Sequence, residues 1–281
     1  MTVEITEASH ALGAVVHGVD ASGTIAARDW DRIERAFRRH YLLVFRCPEL
    51  DEEAHLEVMR RFGPLALEGR DGALRPVGFV SNHRPDGTLG SNAASFHIDY
   101  GFFPHPYEVI SLYGLEIPPS GTETWFVSGV AAAARLPLEL RRRIKGLTAR
   151  QAVDVRSPAG QAGVRVRLGR LDERYPHHVR PVLWPHRTTG EEILAVWEQQ
   201  TDAILPLEPA QSTALIEELF AHLYQPAHRY VHRWQAGDLV IWDNHALQHG
   251  RPEVGTETPR TLRRVCVGQT QDLSIFAEAI V

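Results

Sequence analysis

Three side chains of metal-binding type stand in a telling order along this chain. His97 and Asp99 lie in Ser95-Phe96-His97-Ile98-Asp99-Tyr100, and His249 follows the apolar run Leu239-Val240-Ile241-Trp242. Read as a strand, the hexapeptide turns His97 and Asp99 to one face and Phe96, Ile98 and Tyr100 to the other. Two imidazoles and a carboxylate on one side of a metal, with the remaining positions open, match non-haem Fe(II) that activates dioxygen. The H-x-D pair alone is a weak signal in 281 residues that include 15 histidines. A core histidine beside a strand-end aspartate would read the same, and a zinc hydrolase could use the same three ligands.

The next informative stretch is Pro259-Arg260-Thr261-Leu262-Arg263-Arg264-Val265-Cys266-Val267. As a strand it shows Arg260, Leu262, Arg264 and Cys266 on one face, with Arg263 turned away. Two arginines on one face shortly after a metal ligand call for an anion. A guanidinium fork grips a carboxylate through two hydrogen bonds and keeps its charge. Such an anchor suits 2-oxoglutarate, whose 2-oxo acid end would meet iron while a cation holds the far carboxylate. The hydroxyl of Thr124, in Gly121-Thr122-Glu123-Thr124-Trp125-Phe126, is a second candidate hold.

Over most of its length the chain resembles the taurine dioxygenase family, which includes the 2,4-dichlorophenoxyacetate dioxygenases. The resemblance runs through Gly13 to Asp20, Leu42 to Arg46, Arg61-Phe62-Gly63-Pro64, the H-x-D site and Gly121 to Phe126. It continues through His178 to Val182, His186 to Gly190, and Arg233 to Asp238 running into Trp242-Asp243-Asn244. It implies Fe(II) held by His97, Asp99 and His249, with 2-oxoglutarate and O2 as co-reactants. It further implies that Thr124 and Arg260 grip the far carboxylate, and that Arg264 lies near both the cosubstrate and any acidic group of the substrate.

Two positions depart from the family pattern. Phe96 stands where the family usually has Trp, and Glu68 aligns where taurine dioxygenase places a histidine on its sulfonate. A carboxylate there would repel a sulfonate, which turns the reading away from taurine. Asp99 is neither Gly nor Ala, so no ligand position is vacated for a halide.

The expected substrate is therefore a small, carboxylate-bearing, amino-acid-like metabolite. Its acid would meet Arg264, its amine Glu68, and Asn82 and Phe102 would line its place, with Phe103 and Trp125 extending an apolar wall. Each of these has a plainer reading: Arg264 paired with a structural acid, Glu68 solvated, Asn82 serving a turn. Hydroxylation with release of succinate and CO2 is the default outcome. Desaturation, cyclisation, or C–N or C–S cleavage, including of a sulfonate, would use the same residues. A metal-binding sensor without turnover is the reading of another class, although it has no need of a diacid anchor. His177, His178, His186 and His245 are expected to hydrogen-bond locally, with Asp243 and Asn244 shaping the turn that delivers His249.

Elements able to position these groups follow from periodicity. Ala27 to His40 carries Trp30, Ile33, Ala36 and Phe37 at helical spacing and leads into a strand from Tyr41 to Phe45. Asp51 is a cap candidate for a helix carrying Leu56, Met59 and Phe62. Residues 64–95, rich in Gly and Pro, read as a loop over the site's mouth, and 151–175 as a mobile lid. Pro106 to Ile117 reads as a strand, Val130 to Ile144 as one helix, and Pro209 to Leu223 as an amphipathic helix. Strands close the chain around Asp238 to Trp242 and Leu262 to Gln269. More than half of the sequence separates His97 from His249, so the fold must return distant strands to one place. The expected class is α+β, mainly β: a single domain over 1–281 with a double-stranded β-helix (jelly roll) core and flanking helices.

Composition is that of a globular protein, with 43% hydrophobic and 23% charged residues. No apolar run approaches the ~18–20 residues needed to span a membrane. The start, Met1 to Glu7, is acidic and lacks the basic-then-apolar order of a leader. Two cysteines make no disulfide framework, which points to the cytoplasm. With net charge -5, nucleic acid is not an expected partner. The expected partner is a small molecule, with homo-oligomerisation left open.

Overall fold

A computed structural model describes residues 3–23, 25–47, 49–68, 73–119, 122–154 and 175–271. The fold is mainly β. Strands β1 (Glu4–Glu7), β2 (Ala14–His17) and β3 (Leu42–Arg46) begin one side of a large sheet. Helices α1 (Ala27–His40) and α2 (Glu52–Arg60) flank β3 in sequence. Then come β4 (Val77–Ser81), β5 (Gly87–Leu89), β6 (Ala94–His97), β7 (Val109–Glu116) and β8 (Glu123–Ser128). Helices α3 (Gly129–Ala134) and α4 (Leu138–Ile144) lead to β9 (Thr148–Ala152). Strands β10 (His177–Pro181), β11 (Leu183–Pro185), β12 (Glu192–Leu194) and β13 (Thr201–Leu205) precede α5 (Pro209–Leu223). The chain closes with β14 (Arg229–Arg233), β15 (Asp238–Asp243), β16 (Leu247–Arg251) and β17 (Thr261–Val267).

Among the described residues the largest sheet has the order β1-β2-β3-β15-β7-β17-β4-β5, and a second has β14-β8-β16-β6. Their inner faces share one apolar cluster, in which Leu42, Ile110, Val240 and Leu262 of the large sheet meet Phe126 and Leu247 of the small one. The outer face of the large sheet packs α1 and α2 through Trp30, Ile33, Phe37, Leu56 and Met59. The outer face of the small sheet buries Phe96 and Val127 with residues of α3, α4 and α5. Alternation along each strand therefore sorts side chains between the inter-sheet space and a helical layer.

Helices α1 and α5 have the bounds that their spacing predicts, and the Asp51 side chain accepts from the Ala54 N–H at 2.8 Å as the cap of α2. The helix expected over 130–144 is two helices, broken before Pro137, which lacks an N–H and starts α4 instead. The stretch 64–95 is more than a loop, because β4 and β5 form the edge of the large sheet. Of the expected lid, 151–154 belong to or follow β9, while 155–174 lie outside the described residues, as do 69–72 of the mouth segment. No described helix is long and apolar enough to cross a membrane.

Candidate active site

His97 is the last residue of β6, and His249 sits opposite it in the β6–β16 register, with ring centroids 4.3 Å apart. Gly250 permits that approach, since a Cβ there would lie 2.8 Å from the Ala94 carbonyl oxygen. Asp99 is not on a strand, contrary to the alternation argument. The chain leaves β6 at His97, turns through Asp99, and passes Tyr100 in the left-handed region at φ 59°. Asp99 Oδ1 nonetheless lies 3.2 Å from His97 Nε2 and 3.7 Å from His249 Nε2. One donor atom from each of the three falls within 4.8 Å of the others.

The chemistry of this donor set suits a divalent metal. His97 Nδ1 donates to the Ser95 carbonyl at 2.8 Å, which leaves the Nε2 lone pair facing Asp99 and His249. Burial, reinforced by the neighbouring His97, pushes His249 down to about 3, so this imidazole is neutral. Burial alone would raise the Asp99 carboxyl. The Arg264 guanidinium outweighs it and holds Asp99 well below the usual carboxylate range. A neutral imidazole and an ionised carboxylate are the forms that bind metal.

Asn244, in the turn between β15 and β16, fixes the Asp99 backbone. Its side-chain oxygen accepts from the Asp99 N–H at 2.9 Å, and its amide donates to the carbonyls of Asp99 (3.0 Å) and Tyr107 (2.9 Å). Asp243 Oδ1 accepts from the N–H groups of His245 and Ala246, and its other oxygen pairs with His186 Nε2 at 3.0 Å. His245 lies against Trp184, 4.8 Å between centroids, and points its Nε2 toward the Pro106 carbonyl.

A cavity of about 860 Å³ opens beside the three residues, lined among others by Thr124, Arg260, Arg264, Glu68 and Phe102. Arg260 is 1% exposed, yet all three guanidinium nitrogens lack a hydrogen-bond partner among the described residues. Burial, with the nearby cation Arg251, pushes Arg260 down to about 9. An unpaired buried charge is costly, and a guanidinium in that state is set to receive an anion. Thr124 Oγ1 accepts from Trp234 Nε1 at 2.9 Å, which leaves its own proton free to donate into the cavity. These two residues are a fit for the far carboxylate of a diacid.

The alternation of β17 places Arg264 on the cavity side and turns Arg263 to His55 and the carbonyls of Leu50 and Asp51. Arg264 is not free, however. It pairs with Glu68 through one nitrogen and with Asp99 Oδ2 through another at 2.5 Å. The expectation that Arg264 waits for an anion and Glu68 for an amine is corrected accordingly, since each already has the other. Asn82 is also corrected: it does not line the cavity. Its amide donates to the Gly255 and Thr258 carbonyls, and its oxygen accepts from the Arg260 N–H at 2.8 Å, so it positions the entry to β17. Phe102 lines the cavity, whereas Trp125 packs on Phe96 and Phe103 lies on Tyr100. Trp125 follows Thr124 on β8 and so must face the opposite way.

Several contributors escaped the sequence reading. Arg251 donates to the carbonyls of Gly90 (2.7 Å) and Asn92 (2.8 Å), and its spacing of two from His249 was the available signal. Arg180 donates to the carbonyls of Gly101 and Phe103, both at 2.8 Å, bracing the turn after Asp99. Gln200 donates to the Ile98 carbonyl at 3.1 Å. Neither Arg180 nor Gln200 carries a local signal for its contact.

Comparison with known proteins agrees with this geometry. Residues 4–266 match the family described as taurine catabolism dioxygenase TauD, TfdA family. Pentalenolactone F synthase of Streptomyces arenae is 30% identical over 272 residues, covering 90% of this chain and 91% of that protein. An (S)-phenoxypropionate/alpha-ketoglutarate-dioxygenase of Sphingobium herbicidovorans is 30% identical, covering 84% and 85%. A solved taurine dioxygenase from Burkholderia xenovorans superposes with a TM-score of 0.78 at 25% identity, covering 95% of this chain and 91% of that one. The chain therefore belongs to the taurine catabolism dioxygenase TauD, TfdA family, and it is an Fe(II)- and 2-oxoglutarate-dependent dioxygenase.

Proposed function

We propose that His97, Asp99 and His249 hold the iron, that Arg260 and Thr124 seat the far carboxylate of 2-oxoglutarate, and that a small carboxylate-bearing molecule is oxidised in the adjoining cavity. The observation that carries this reading is the buried, unpartnered guanidinium of Arg260 in the cavity that His97, Asp99 and His249 also line. When bound, iron with 2-oxoglutarate and dioxygen supplies the oxidising chemistry, which converts the cosubstrate to succinate and CO2 as a substrate C–H bond is hydroxylated.

The chain's own residues supply orientation and charge. Ser95 fixes the His97 tautomer, Asn244 fixes the Asp99 backbone, and Arg264 keeps the Asp99 carboxylate ionised. Trp234 fixes the Thr124 oxygen, so the hydroxyl proton is committed to the cavity side. Asn82 anchors the Arg260 backbone, and Arg251 holds the turn at Gly90 and Asn92 beside the cavity. Phe102 and Tyr100 give the cavity an apolar wall that limits water.

A carboxylate-bearing substrate is favoured by likeness to the phenoxypropionate enzyme. For the fold, the jelly roll is the reading supported by the chain's crossing between the two facing sheets, from β6 to β7 to β8 and again from β14 through β17. We read the described elements as a single domain built on these two sheets. Anaerobic titration of the protein with Fe(II) and 2-oxoglutarate tests the site. A weak visible charge-transfer band is expected in the wild type and a strongly raised 2-oxoglutarate requirement in Arg260→Ala. An unchanged requirement would reassign that arginine.

A further inference from the structure

Arg251 ends β16, two residues past His249, and so shares the cavity side of that strand with it. The antiparallel register of β16 with β8 runs Gln248 against Val127, His249 against Phe126 and Gly250 against Trp125. One further step sets Arg251 beside Thr124, and side chains opposed in this way turn to the same face. Thr124, Arg251 and Arg260 all line the cavity. Arg251 is 5% exposed, and its hold on the chain is one-sided. Nε donates to the Asn92 carbonyl at 3.1 Å, and Nη2 donates to the carbonyls of Gly90 at 2.7 Å and Asn92 at 2.8 Å. Nη1 is buried without a hydrogen-bond partner among the described residues.

Bracing the turn at Gly90 and Asn92 accounts for two of the three nitrogens and leaves the third without a duty. It also leaves the charge unmatched, because every acceptor is a neutral backbone carbonyl. Arg260 stands in the same cavity with its guanidinium wholly unpartnered among the described residues. Two buried cations without a counter-ion are costly, and one bound anion relieves both. A carboxylate carries two oxygens, each able to accept more than one hydrogen bond, so Arg260, Thr124 and Arg251 can donate to it together. The carbonyls that hold Nε and Nη2 fix the guanidinium plane beforehand, so little freedom is lost when Nη1 takes an anion.

Resting on the dioxygenase reading above, we propose that Arg251 is a second cation of the cosubstrate pocket, donating through Nη1 to the far carboxylate of 2-oxoglutarate that Arg260 and Thr124 also hold.

The test compares 2-oxoglutarate with 2-oxopentanoate, which keeps the 2-oxo acid end and lacks the far carboxylate. Dissociation constants for both are read from the visible band in anaerobic titrations of the Fe(II)-loaded wild type, Arg251→Gln and Arg251→Lys. Arg251→Gln is expected to bind 2-oxoglutarate about tenfold more weakly than the wild type, and 2-oxopentanoate within about twofold. Arg251→Lys keeps the charge and loses the planar fork, so it is expected to bind 2-oxoglutarate more tightly than Arg251→Gln does. An equal loss for the two acids in Arg251→Gln would make Arg251 a brace for the turn alone and overturns the proposal, as does an unchanged 2-oxoglutarate affinity. If 2-oxopentanoate gives no band in the wild type, the two variants decide: equal 2-oxoglutarate affinity in Arg251→Gln and Arg251→Lys overturns the proposal. Arg251→Met, which keeps the packing of the stem, takes the place of Arg251→Gln should that variant not fold. Absence of the Fe(II)–2-oxoglutarate band in the wild type would instead count against the dioxygenase reading, so the two failures are separable.

Discussion

Asn244 clasps Asp99 from both sides of its backbone, accepting from its N–H at 2.9 Å and donating to its carbonyl at 3.0 Å. The turn that delivers His249 thus also sets the place of Asp99, across 145 residues of sequence. Replacing Asn244 with Ala removes three hydrogen bonds to buried or part-buried backbone groups, and a loss of roughly 2–4 kcal/mol of stability is expected. Iron affinity should fall roughly 10–100-fold, as it does when groups that orient metal ligands are removed. Anaerobic Fe(II) titration beside urea unfolding measures both. Wild-type affinity in Asn244→Ala would mean that Asp99 is held by other means.

His97→Ala, Asp99→Ala and His249→Ala should each abolish succinate formation while the protein still melts cooperatively. These side chains border the cavity, so truncating them leaves the packed clusters on either side of the small sheet intact. Turnover resembling wild type in any one of them would remove that residue from the ligand set.

Arg260 yields a prediction of opposite sign for stability and for function. Without an anion its buried charge is uncompensated, so Arg260→Met should unfold at the same or higher denaturant concentration than the wild type when 2-oxoglutarate is absent. Added 2-oxoglutarate should stabilise the wild type by mass action and leave the variant unmoved. Thr124→Val and Trp234→Phe should weaken the cosubstrate less, by about 0.5–1.5 kcal/mol each, because a neutral hydrogen bond contributes less than a charged one. Thermal shift with and without 2-oxoglutarate separates the four proteins. A wild-type shift in Arg260→Met would refute the assignment.

His55 lies away from the cavity and predicts a pH dependence. Arg263 Nε donates to its Nδ1 at 3.1 Å, so Nε2 carries the proton and donates to Ser111 Oγ at 2.8 Å. Burial first, and then the Arg263 charge, pushes this imidazole from its ordinary 6.5 down to about 3. As pH falls below 6.5, the unfolded chain gains a proton that the folded protein refuses. Stability is therefore full above that pH and drains toward pH 3, by up to about 1.4 kcal/mol per pH unit from this group. Urea unfolding between about pH 7 and about pH 5 should show a shallower slope in His55→Gln than in the wild type. Equal slopes would show that His55 does not titrate in this way.

What was legible in the sequence follows from local rules. The bounds of α1 and α5, the Asp51 cap and the sidedness of β17 depend on periods of 3.6 and 2 and on one side chain near one backbone N–H. Residue type also marks His97, Asp99 and His249 as possible metal ligands, and the fold brings their donor atoms within 4.8 Å of one another. The geometry that gathers them is another matter. A strand would have put His97 and Asp99 on one face, but the chain turns after His97, and Asn244 supplies Asp99 with the backbone hydrogen bonds that a strand neighbour would have given. That substitution depends on a residue more than half the chain away, and no local pattern encodes it. The same holds for charge. Arg260 and Arg264 are equivalent in spacing and chemistry, and only the tertiary structure separates them, leaving the first buried without a partner and giving the second Glu68 and Asp99. A charge's partners are set by distance through space, and distance along the chain does not fix them.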